Sequence, residues 1–304
     1  MSEKILVTGA NGLLGQKVAE VFKRESEYEL LSCDLVRNKE DGLTLDITDH
    51  QKVMDVVGSY KPSVIINAAA FTNVDLAETE KEVAYKINAT AVGYLADAAK
   101  VFNAKLVHIS TDYVFAGKSG GYSEESLPDP ISYYGKTKLA GENLVRSKLE
   151  DYAIVRTQVL YGFGRNIKKN FVLWVVEKLT GRESIRVVDD QFGNPTLADE
   201  LAFAILKVCQ RNATGLYHVS GFETVSRYEF ARKVAEVFGL DFSRVKRIRS
   251  DELAQPAKRP QNSSFICLKA QTELGINMPP VSDSLFQLKQ QMKLAGALDL
   301  SNHN

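Results

Sequence analysis

The sequence has no excess of charge of either sign and very little cysteine. Lysine plus arginine and aspartate plus glutamate number 38 each, so the formal net charge is zero. A neutral chain has no overall field that attracts polyanions, and we therefore expect neither nucleic acid nor a membrane surface as a partner. The 3 cysteines are far apart and form no CxxC pair, so no metal site is predicted.

Long apolar runs are missing as well. No run approaches the roughly 18 apolar residues that a membrane-spanning helix needs. The amino terminus, MSEKILVTGANG, enters a strand-like run at once and lacks the basic start and the cleavage site of a secretory signal. Because scattered cysteines are most simply reduced thiols, these absences together predict a cytoplasmic protein.

What the chain does contain is the pattern of an α/β protein. Its 304 residues are 44% hydrophobic and 25% charged, which is typical of a globular chain with one large or two moderate domains. Short β-branched runs alternate with helical stretches in the first half, a pattern of βαβ units, and the nearly continuous apolar character of the runs predicts helices on both faces. Strands are predicted at 4–9, 28–34, 43–47, 63–70, 105–111 and 152–157, with helices near 13–24, 49–60, 80–102 and 133–149.

The second half has a less regular pattern of predicted strands and helices. The runs SIRVVDD, GLYHVSG and VKRIRS predict strands, and helices are predicted near 196–211 and 226–239. We therefore predict a Rossmann-type doubly wound parallel sheet over residues 1–157 and a smaller α/β lobe over residues 158–304. No linker marks the boundary, so individual segments are free to cross between the two parts.

A glycine loop follows the first predicted strand. In VTGANGLLGQKV, the glycines allow a tight turn and let a pyrophosphate approach the free N–H groups of the next helix. The GxxGxxG spacing resembles the short-chain dehydrogenase/reductase superfamily. We predict that residues 1–157 bind a dinucleotide and that residues 158–304 mainly bind substrate. The predicted loop contacts are Gly9, Asn11, Gly12, Leu13, Leu14 and Gly15.

Other predicted cofactor contacts lie at the ends of later strands. Asp34 ends the second strand, where an acid binds the adenosine ribose hydroxyls, and this placement favours NADH. Arg37 can instead pair with a 2′-phosphate, so NADPH stays open. The resemblance to the superfamily adds contacts to adenine and to the dinucleotide backbone at the ends of the third and fourth strands. They are Asp46, Ile47, Ala68, Ala69 and Ala70.

A candidate catalytic set follows from two further motifs. HISTDYVF brings Ser110 and Thr111 to the carboxyl edge of the sheet, where such folds bind ligands. In SYYGKTK, Tyr134 lies four residues before Lys138, so both project from one helix face, although this spacing is also common by chance on exposed helices. Thr111, Tyr134 and Lys138 match the Ser/Thr-Tyr-Lys set of extended short-chain dehydrogenases, in which the Tyr and the Lys also contact the cofactor.

The chemistry expected of this set is reduction of a carbonyl group. A phenol has an unperturbed pKa near 10, and the cation of Lys138 would favour its anion. Thr111 would then hydrogen-bond the carbonyl oxygen, Tyr134 would protonate it, and the nicotinamide would deliver hydride. On helix geometry, Tyr133 points away from Lys138.

Five motifs narrow the family. STDYVFAG, YYGKTKLAGE, DQFGNPT, GLYHVSG and AKRPQNSSF occur in the order and approximate spacing of the dTDP-4-dehydrorhamnose reductase family, which the chain resembles up to about residue 276. The resemblance implies NADH- or NADPH-dependent reduction of the 4-keto group of a dTDP-linked 6-deoxyhexose. That family is similar to a non-enzymatic regulatory subunit of methionine adenosyltransferase, so an idle nucleotide-binding subunit is the rival. A reductase or epimerase of another nucleotide sugar is the third possibility.

Two departures bear on the reaction and on the sugar. Dehydratases of the same fold carry Thr-Asp-Glu after the fifth strand, whereas this chain has Tyr113 in place of the Glu and so lacks the base that takes the C5 proton. Asp112 is then a loop-organising residue or a substrate contact. Reductases usually read Arg-Thr-Ser-Trp after the sixth strand, and here Val159 stands in place of the Trp, which leaves the sugar open.

Further substrate contacts are predicted from the resemblance. Thr72 and Asp75 match the substrate-side loop, Asn170 begins the first helix of the second lobe, and Arg259 is placed to pair with a diphosphate. Each has an alternative as a cap or a surface group. His108 and His218 lie within strand runs and are predicted to be hydrogen-bonded core residues. A homodimer stays open.

Overall fold

The computed structural model describes residues 2–36 and 42–298. Within them the strands are β1 (Glu3–Thr8), β2 (Tyr28–Asp34), β3 (Gly42–Thr44), β4 (Val64–Asn67), β5 (Lys105–Thr111), β6 (Tyr152–Thr157), β7 (Leu160–Tyr161), β8 (Ile185–Val188), β9 (Phe192–Gly193), β10 (Thr196–Leu197), β11 (Gly215–His218), β12 (Val225–Ser226) and β13 (Val245–Ile248). The α-helices are α1 (Leu13–Phe22), α2 (His50–Tyr60), α3 (Lys81–Tyr85), α4 (Ala91–Val101), α5 (Tyr133–Lys148), α6 (Phe171–Thr180), α7 (Ala198–Gln210), α8 (Arg227–Phe238), α9 (Leu268–Leu274) and α10 (Val281–Leu294). Short 3₁₀ turns lie at Leu76–Glu78, Asp112–Val114, Phe242–Arg244 and Ser250–Glu252.

One parallel sheet of seven strands organises the molecule, in the order β11-β6-β5-β4-β1-β2-β3. The strand order reverses between β1 and β4, so the loops that follow these two strands open a crevice at the carboxyl edge of the sheet. The predicted Rossmann-type α/β fold is confirmed. The carboxyl edge is therefore the place to look for a ligand site.

Helices cover both faces of this sheet, as the apolar strands require. Along β1, Ile5 and Val7 pack on one face with residues of α1 and α7. Leu6 points to the other face and packs with residues of α2, α4 and α5. Successive side chains of a strand alternate between faces, so a strand buried on both sides reads as a continuous apolar run.

Residues after 157 contribute to more than one hydrophobic cluster. The strand predicted at 215–221 forms as β11, but it extends the first sheet, because Gly215–His218 pairs in parallel with β6. The helix predicted at 196–211 forms as α7 and packs against α1. A separate cluster joins α6, α8 and α10 with β8 and β13. A division of the chain at residue 157 stays a proposal.

Three predicted elements differ from the structure. The fourth strand, predicted at 63–70, ends at Asn67. The third strand ends at Thr44, because the Asp46 carboxylate then accepts hydrogen bonds from the backbone and side chain of Thr48 and turns the chain. The single helix predicted at 80–102 is interrupted by a π-helical turn at Lys86–Thr90. No helix within the described ranges is long and apolar enough to span a bilayer.

Candidate active site

The glycine loop between β1 and α1 needs its glycines for different reasons. Gly9 has a positive φ of 71°, and a Cβ added there would lie 2.5 Å from the nitrogen of Ala69. A Cβ at Gly15 would lie 2.2 Å from the Gly9 oxygen. At Gly12, by contrast, φ is −68° and the nearest atom to an added Cβ is 3.2 Å away. Packing within the protein thus requires glycine at positions 9 and 15. The space beside Gly12 forms a cradle that a side chain would fill.

The cradle adjoins the start of α1. Gly12 is the N-cap of α1 and offers no side-chain acceptor, so the first-turn N–H groups of Leu13 and Leu14 can bind an anion. Asp34 lies beside the same loop, where its two carboxylate oxygens accept hydrogen bonds from the backbone N–H groups of Asn11 at 2.8 Å and Leu35 at 2.7 Å. Each oxygen keeps a lone pair for a ligand hydroxyl. Arg37 lies outside the described residues.

The other predicted cofactor contacts follow β3 and β4, at the same carboxyl edge of the sheet. Ala68, Ala69 and Ala70 directly follow β4, and the Ala69 N–H donates to the side chain of Asn67 at 3.2 Å. Asp46 uses one carboxylate oxygen to cap the turn after β3, and Ile47 is buried beside it.

Thr111, Tyr134 and Lys138 meet at the carboxyl end of β5. Ser132 caps α5 by accepting a hydrogen bond from the N–H of Gly135 at 3.1 Å, and this cap fixes where the helix begins. Tyr134 and Lys138 are 9% and 2% exposed, so their shared helix face is a buried one. The helix is not the exposed surface helix that chance spacing would give.

Burial dominates the electrostatics of this set. It raises the pKa of the Tyr134 phenol well above its usual value, and the nearby Thr111 hydroxyl partly offsets the shift. Burial lowers the pKa of Lys138 to about 8, while the charge of Glu142 opposes that shift. The Lys138 ammonium donates to the carbonyl oxygen of Ile109 at 2.7 Å. The phenol therefore keeps its proton at neutral pH, and the lysine is a cation only below about pH 8.

A buried ionic network behind Lys138 was not predicted. Glu142 is 0% exposed and accepts two hydrogen bonds from Arg156, at 2.8 and 2.7 Å. Ser110 donates to the same carboxylate at 2.6 Å, so it points into the core and not towards the active-site edge. Side chains alternate along a strand, so Ser110 and Thr111 lie on opposite faces of the sheet, and this pattern could have predicted that Ser110 points away from the active site.

Asn88 is a further residue near the site whose role was not predicted from the sequence. It lies in the π-helical turn, is fully buried, and exchanges two hydrogen bonds with the backbone of Phe71, at 2.8 and 3.0 Å. Its side-chain nitrogen also donates to Thr137 of α5 at 3.0 Å. Asn88 thus ties the loop after β4 to the helix that carries Tyr134.

The predicted substrate residues fall into three situations. Asp75 and Arg259 are brought together as a two-bond ion pair, at 2.9 and 2.7 Å, and the guanidinium lowers the pKa of the Asp75 carboxyl. Asn170 is the N-cap of α6, which was the alternative to its predicted role as a substrate contact. Its side chain accepts a hydrogen bond from the N–H of Leu173 at 3.2 Å and donates one to the carbonyl oxygen of Gly162 at 2.7 Å. Thr72 is exposed on the loop after β4.

Val159 has an unusual backbone for a β-branched residue. Its φ is 46°, in the left-handed region, which costs on the order of 1–3 kcal/mol. Its carbonyl oxygen accepts a hydrogen bond from the N–H of Thr196 at 3.2 Å, a contact that holds the strained segment in place. The position at which the resemblance expects a Trp therefore carries a short side chain on a constrained backbone.

His108 and His218 are buried core residues in the structure. The side chain of Asn67 lies 3.1 Å from Nδ1 of His108, and the carbonyl oxygen of Tyr122 lies 3.0 Å from Nδ1 of His218. Burial lowers the pKa of both imidazoles, with Lys138 adding to the shift at His108. Their predicted role as hydrogen-bonded core residues is confirmed.

Comparison with known proteins decides the family. The family described as RmlD substrate binding domain matches residues 3–294. The chain belongs to this family. A dTDP-4-dehydrorhamnose reductase from Aggregatibacter actinomycetemcomitans is 36% identical over 285 residues, which cover 90% of this chain and 94% of that protein. The resemblance inferred from the motifs is confirmed.

The chain is also similar to a solved reductase structure and to a regulatory subunit. The crystal structure of dTDP-4-dehydrorhamnose reductase from Bacillus anthracis str. Ames in complex with NADP matches with a TM-score of 0.89 and 37% identity, over 96% of this chain and 100% of that chain. Methionine adenosyltransferase 2 subunit beta from Xenopus laevis is 34% identical over 281 residues, 90% of this chain and 83% of that protein. Identity alone therefore does not separate a reductase from a regulatory subunit.

Proposed function

We propose that this protein is an NAD(P)H-dependent reductase of the 4-keto group of a nucleotide-linked 6-deoxyhexose, with dTDP-4-dehydrorhamnose as its leading substrate. The observation that carries the proposal is the buried meeting of Thr111, Tyr134 and Lys138 at the sheet edge that also holds the glycine loop. This set favours an enzyme, but a regulatory subunit can bind a cofactor with the same residues, so the experiment below has to separate the two.

The residues at the crevice fit a nicotinamide dinucleotide. The cradle at Gly12 and the first-turn N–H groups of α1 suit a pyrophosphate, and the Asp34 carboxylate suits ribose hydroxyls. When bound, the reduced cofactor supplies hydride to the carbonyl carbon. Asp34 disfavours a 2′-phosphate by charge, whereas a structural relative is described in complex with NADP, so both NADH and NADPH belong to the proposal.

The side chains then supply the proton and the orientation. Tyr134 holds a proton on its phenol oxygen and delivers it to the substrate oxygen, because its raised pKa keeps it protonated until charge develops there. Lys138 stabilises the phenolate that remains. The hydroxyl of Thr111 orients the substrate oxygen. Burial of all three side chains excludes bulk water from the transfer.

Substrate recognition is proposed for the loop after β4 and the segment before α9. Arg259 would exchange its partner Asp75 for the substrate diphosphate, since guanidinium groups bind phosphate oxygens in pairs. Thr72 lies exposed on the same loop. The short Val159 side chain would leave more room beside the sugar than a Trp. A homodimer and a cytoplasmic location remain predictions.

The proposal is tested by following NADH and NADPH oxidation with a panel of nucleotide-linked 4-ketosugars. Oxidation that depends on the ketosugar supports a reductase, and the preferred sugar and base identify the substrate. The rival is tested in the same preparation by adding a methionine adenosyltransferase. If the protein changes the kinetics of that enzyme and oxidises no cofactor with any ketosugar, the regulatory function replaces the reductase.

The pH dependence of reduction follows from Lys138. Its pKa is lowered to about 8, so the cation is present below that pH and is lost above it. We expect kcat/KM for the ketosugar to fall by about tenfold per pH unit above pH 8, because the phenolate then loses its stabilising charge. A Lys138→Met variant should be slow throughout and should lack this fall. A wild-type profile that stays flat well above pH 8 would contradict the assigned role.

A further inference from the structure

The hydroxyl of Thr111 has no hydrogen to offer a substrate in the arrangement seen here. A threonine hydroxyl carries one donor and two lone pairs. Its hydrogen goes to Oδ1 of Asp112 at 3.0 Å, and one lone pair accepts the N–H of Tyr113 at 3.2 Å. The Tyr134 phenol, whose pKa this hydroxyl lowers, lies beside it as well. A carbonyl oxygen can only accept hydrogen bonds, so orientation of a ketosugar by Thr111 requires that its hydrogen be released from Asp112.

Asp112 is an unusual carboxyl group for such a position. It is 4% exposed, and the structure records no ion pair for it among the described residues. Its second oxygen accepts a hydrogen bond from the Ser263 hydroxyl at 2.5 Å. Burial raises its pKa, while the two hydroxyls and the charge of Arg227 oppose the shift. The titratable and charged groups around it are Tyr113 on its own turn, Tyr134 on α5, Arg227 on α8 and, beyond Tyr113, the pair Asp75 and Arg259.

We propose that Asp112 is a positioning residue that acts through Thr111, and that its protonated acid is the working form during ketosugar reduction. This inference rests on the proposed function. As an acid, Asp112 donates its own hydrogen to the Thr111 oxygen, and the reversed hydrogen bond frees the Thr111 hydrogen for the substrate oxygen. As a carboxylate, it withdraws that hydrogen. Asp112 keeps its proton through the reaction, so no bond to the substrate forms or breaks there.

The hydrogen-bond count then balances at the site. With Asp112 protonated, the two lone pairs of Thr111 accept from Asp112 and from the N–H of Tyr113. The hydrogens of Thr111 and Tyr134 are both available for the same carbonyl oxygen. The Ser263 hydroxyl continues to hold the other side of the carboxyl group.

The test is the pH profile of kcat/KM in wild type and in Asp112→Asn. The asparagine amide donates to Thr111 and its carbonyl oxygen accepts from Ser263, so it copies the protonated acid at every pH. The wild type should show a lower fall, to a reduced plateau, as Asp112 ionises, followed by the separate fall caused by Lys138. Asp112→Asn should lose that lower fall and keep the fall above pH 8. A variant profile with the wild-type shape at a uniformly lower rate would overturn the inference.

Ser263→Ala provides a second variant that keeps the carboxyl group, in case Asp112→Asn folds poorly. Removing a hydroxyl that stabilises the carboxylate raises the pKa of Asp112, so the lower fall should move to higher pH by about one unit. An unmoved fall would count against Asp112 as its source. Binding of NADPH with unchanged affinity shows that each variant is folded.

Infrared difference spectra between the wild type and Asp112→Asn give a readout that needs no turnover. A protonated-carboxyl band should be present in the wild type, absent from the variant, and lost over the same pH range as the lower fall. If no such band exists at any pH where the enzyme is active, the inference is overturned. If the band titrates as expected but no ketosugar is reduced at any pH, the proposed function fails while the assigned protonation stands.

Discussion

Tyr134→Phe is expected to lower ketosugar turnover by about 2–4 powers of ten, the usual contribution of a general acid. The substitution removes one hydroxyl from a side chain that is 9% exposed and leaves its ring in place. Cofactor affinity should therefore change little, and steady-state kinetics with a separate NADPH titration would show the two effects apart.

The neighbouring tyrosine provides the matched control. Tyr133 is only partly buried, and its ring packs beneath the Lys81 ammonium, 5.5 Å away, on a side of the helix away from Lys138. Tyr133→Phe should keep most of the turnover. Full activity in Tyr134→Phe with every accepted ketosugar, or equal losses in the two variants, would remove Tyr134 as the proton donor.

Gly12→Val is expected to abolish detectable binding of NADH and NADPH in calorimetry. Gly12 has an ordinary φ of −68°, and an added Cβ would meet the Gly9 oxygen at 3.2 Å, a tight contact that needs only a small shift of the loop. The side chain would instead fill the cradle proposed for the pyrophosphate. Unchanged affinity would show that the dinucleotide does not lie against this loop.

Gly15→Ala separates loss of the ligand space from loss of packing. Its Cβ would lie 2.2 Å from the Gly9 oxygen, so α1 would have to move away from β1. We expect a lower melting temperature, from overpacking of about 1–3 kcal/mol. Gly12→Val should melt close to the wild type. If the melting temperature of Gly12→Val falls as far as that of Gly15→Ala, Gly12→Val has lost binding through misfolding and not through a filled cradle.

Local patterns in the sequence predicted the features that depend on neighbouring residues. The strands of the sheet were readable because burial on both faces makes them continuously apolar. Tyr134 and Lys138 were readable as a pair because four residues on a helix bring them to one face. The glycine loop was readable because it connects a strand to a helix within a few residues.

Contacts between distant segments could not be read in this way. The pairing of Asp75 with Arg259 joins residues 184 positions apart, and the contact of Asp112 with Ser263 joins residues 151 apart. No periodicity in the chain indicates either partner. Likewise β11 has an ordinary strand pattern, and only its pairing with β6 assigns it to the first sheet. The pairing of these groups, which sets the charge and the hydrogen bonds of the site, could therefore not be predicted from the sequence.

Whether the protein is a reductase is tested most directly by transfer of deuterium to a nucleotide-linked 4-ketosugar from NADPH that carries deuterium at both hydrogens of the nicotinamide C4. The product should be analysed by mass spectrometry and by NMR of the hexose. We expect one deuterium at C4 of the product sugar for each cofactor oxidised, and loss of this transfer in Tyr134→Phe. Intact ketosugar and unoxidised cofactor across the whole panel, from protein that binds NADPH normally, would contradict it.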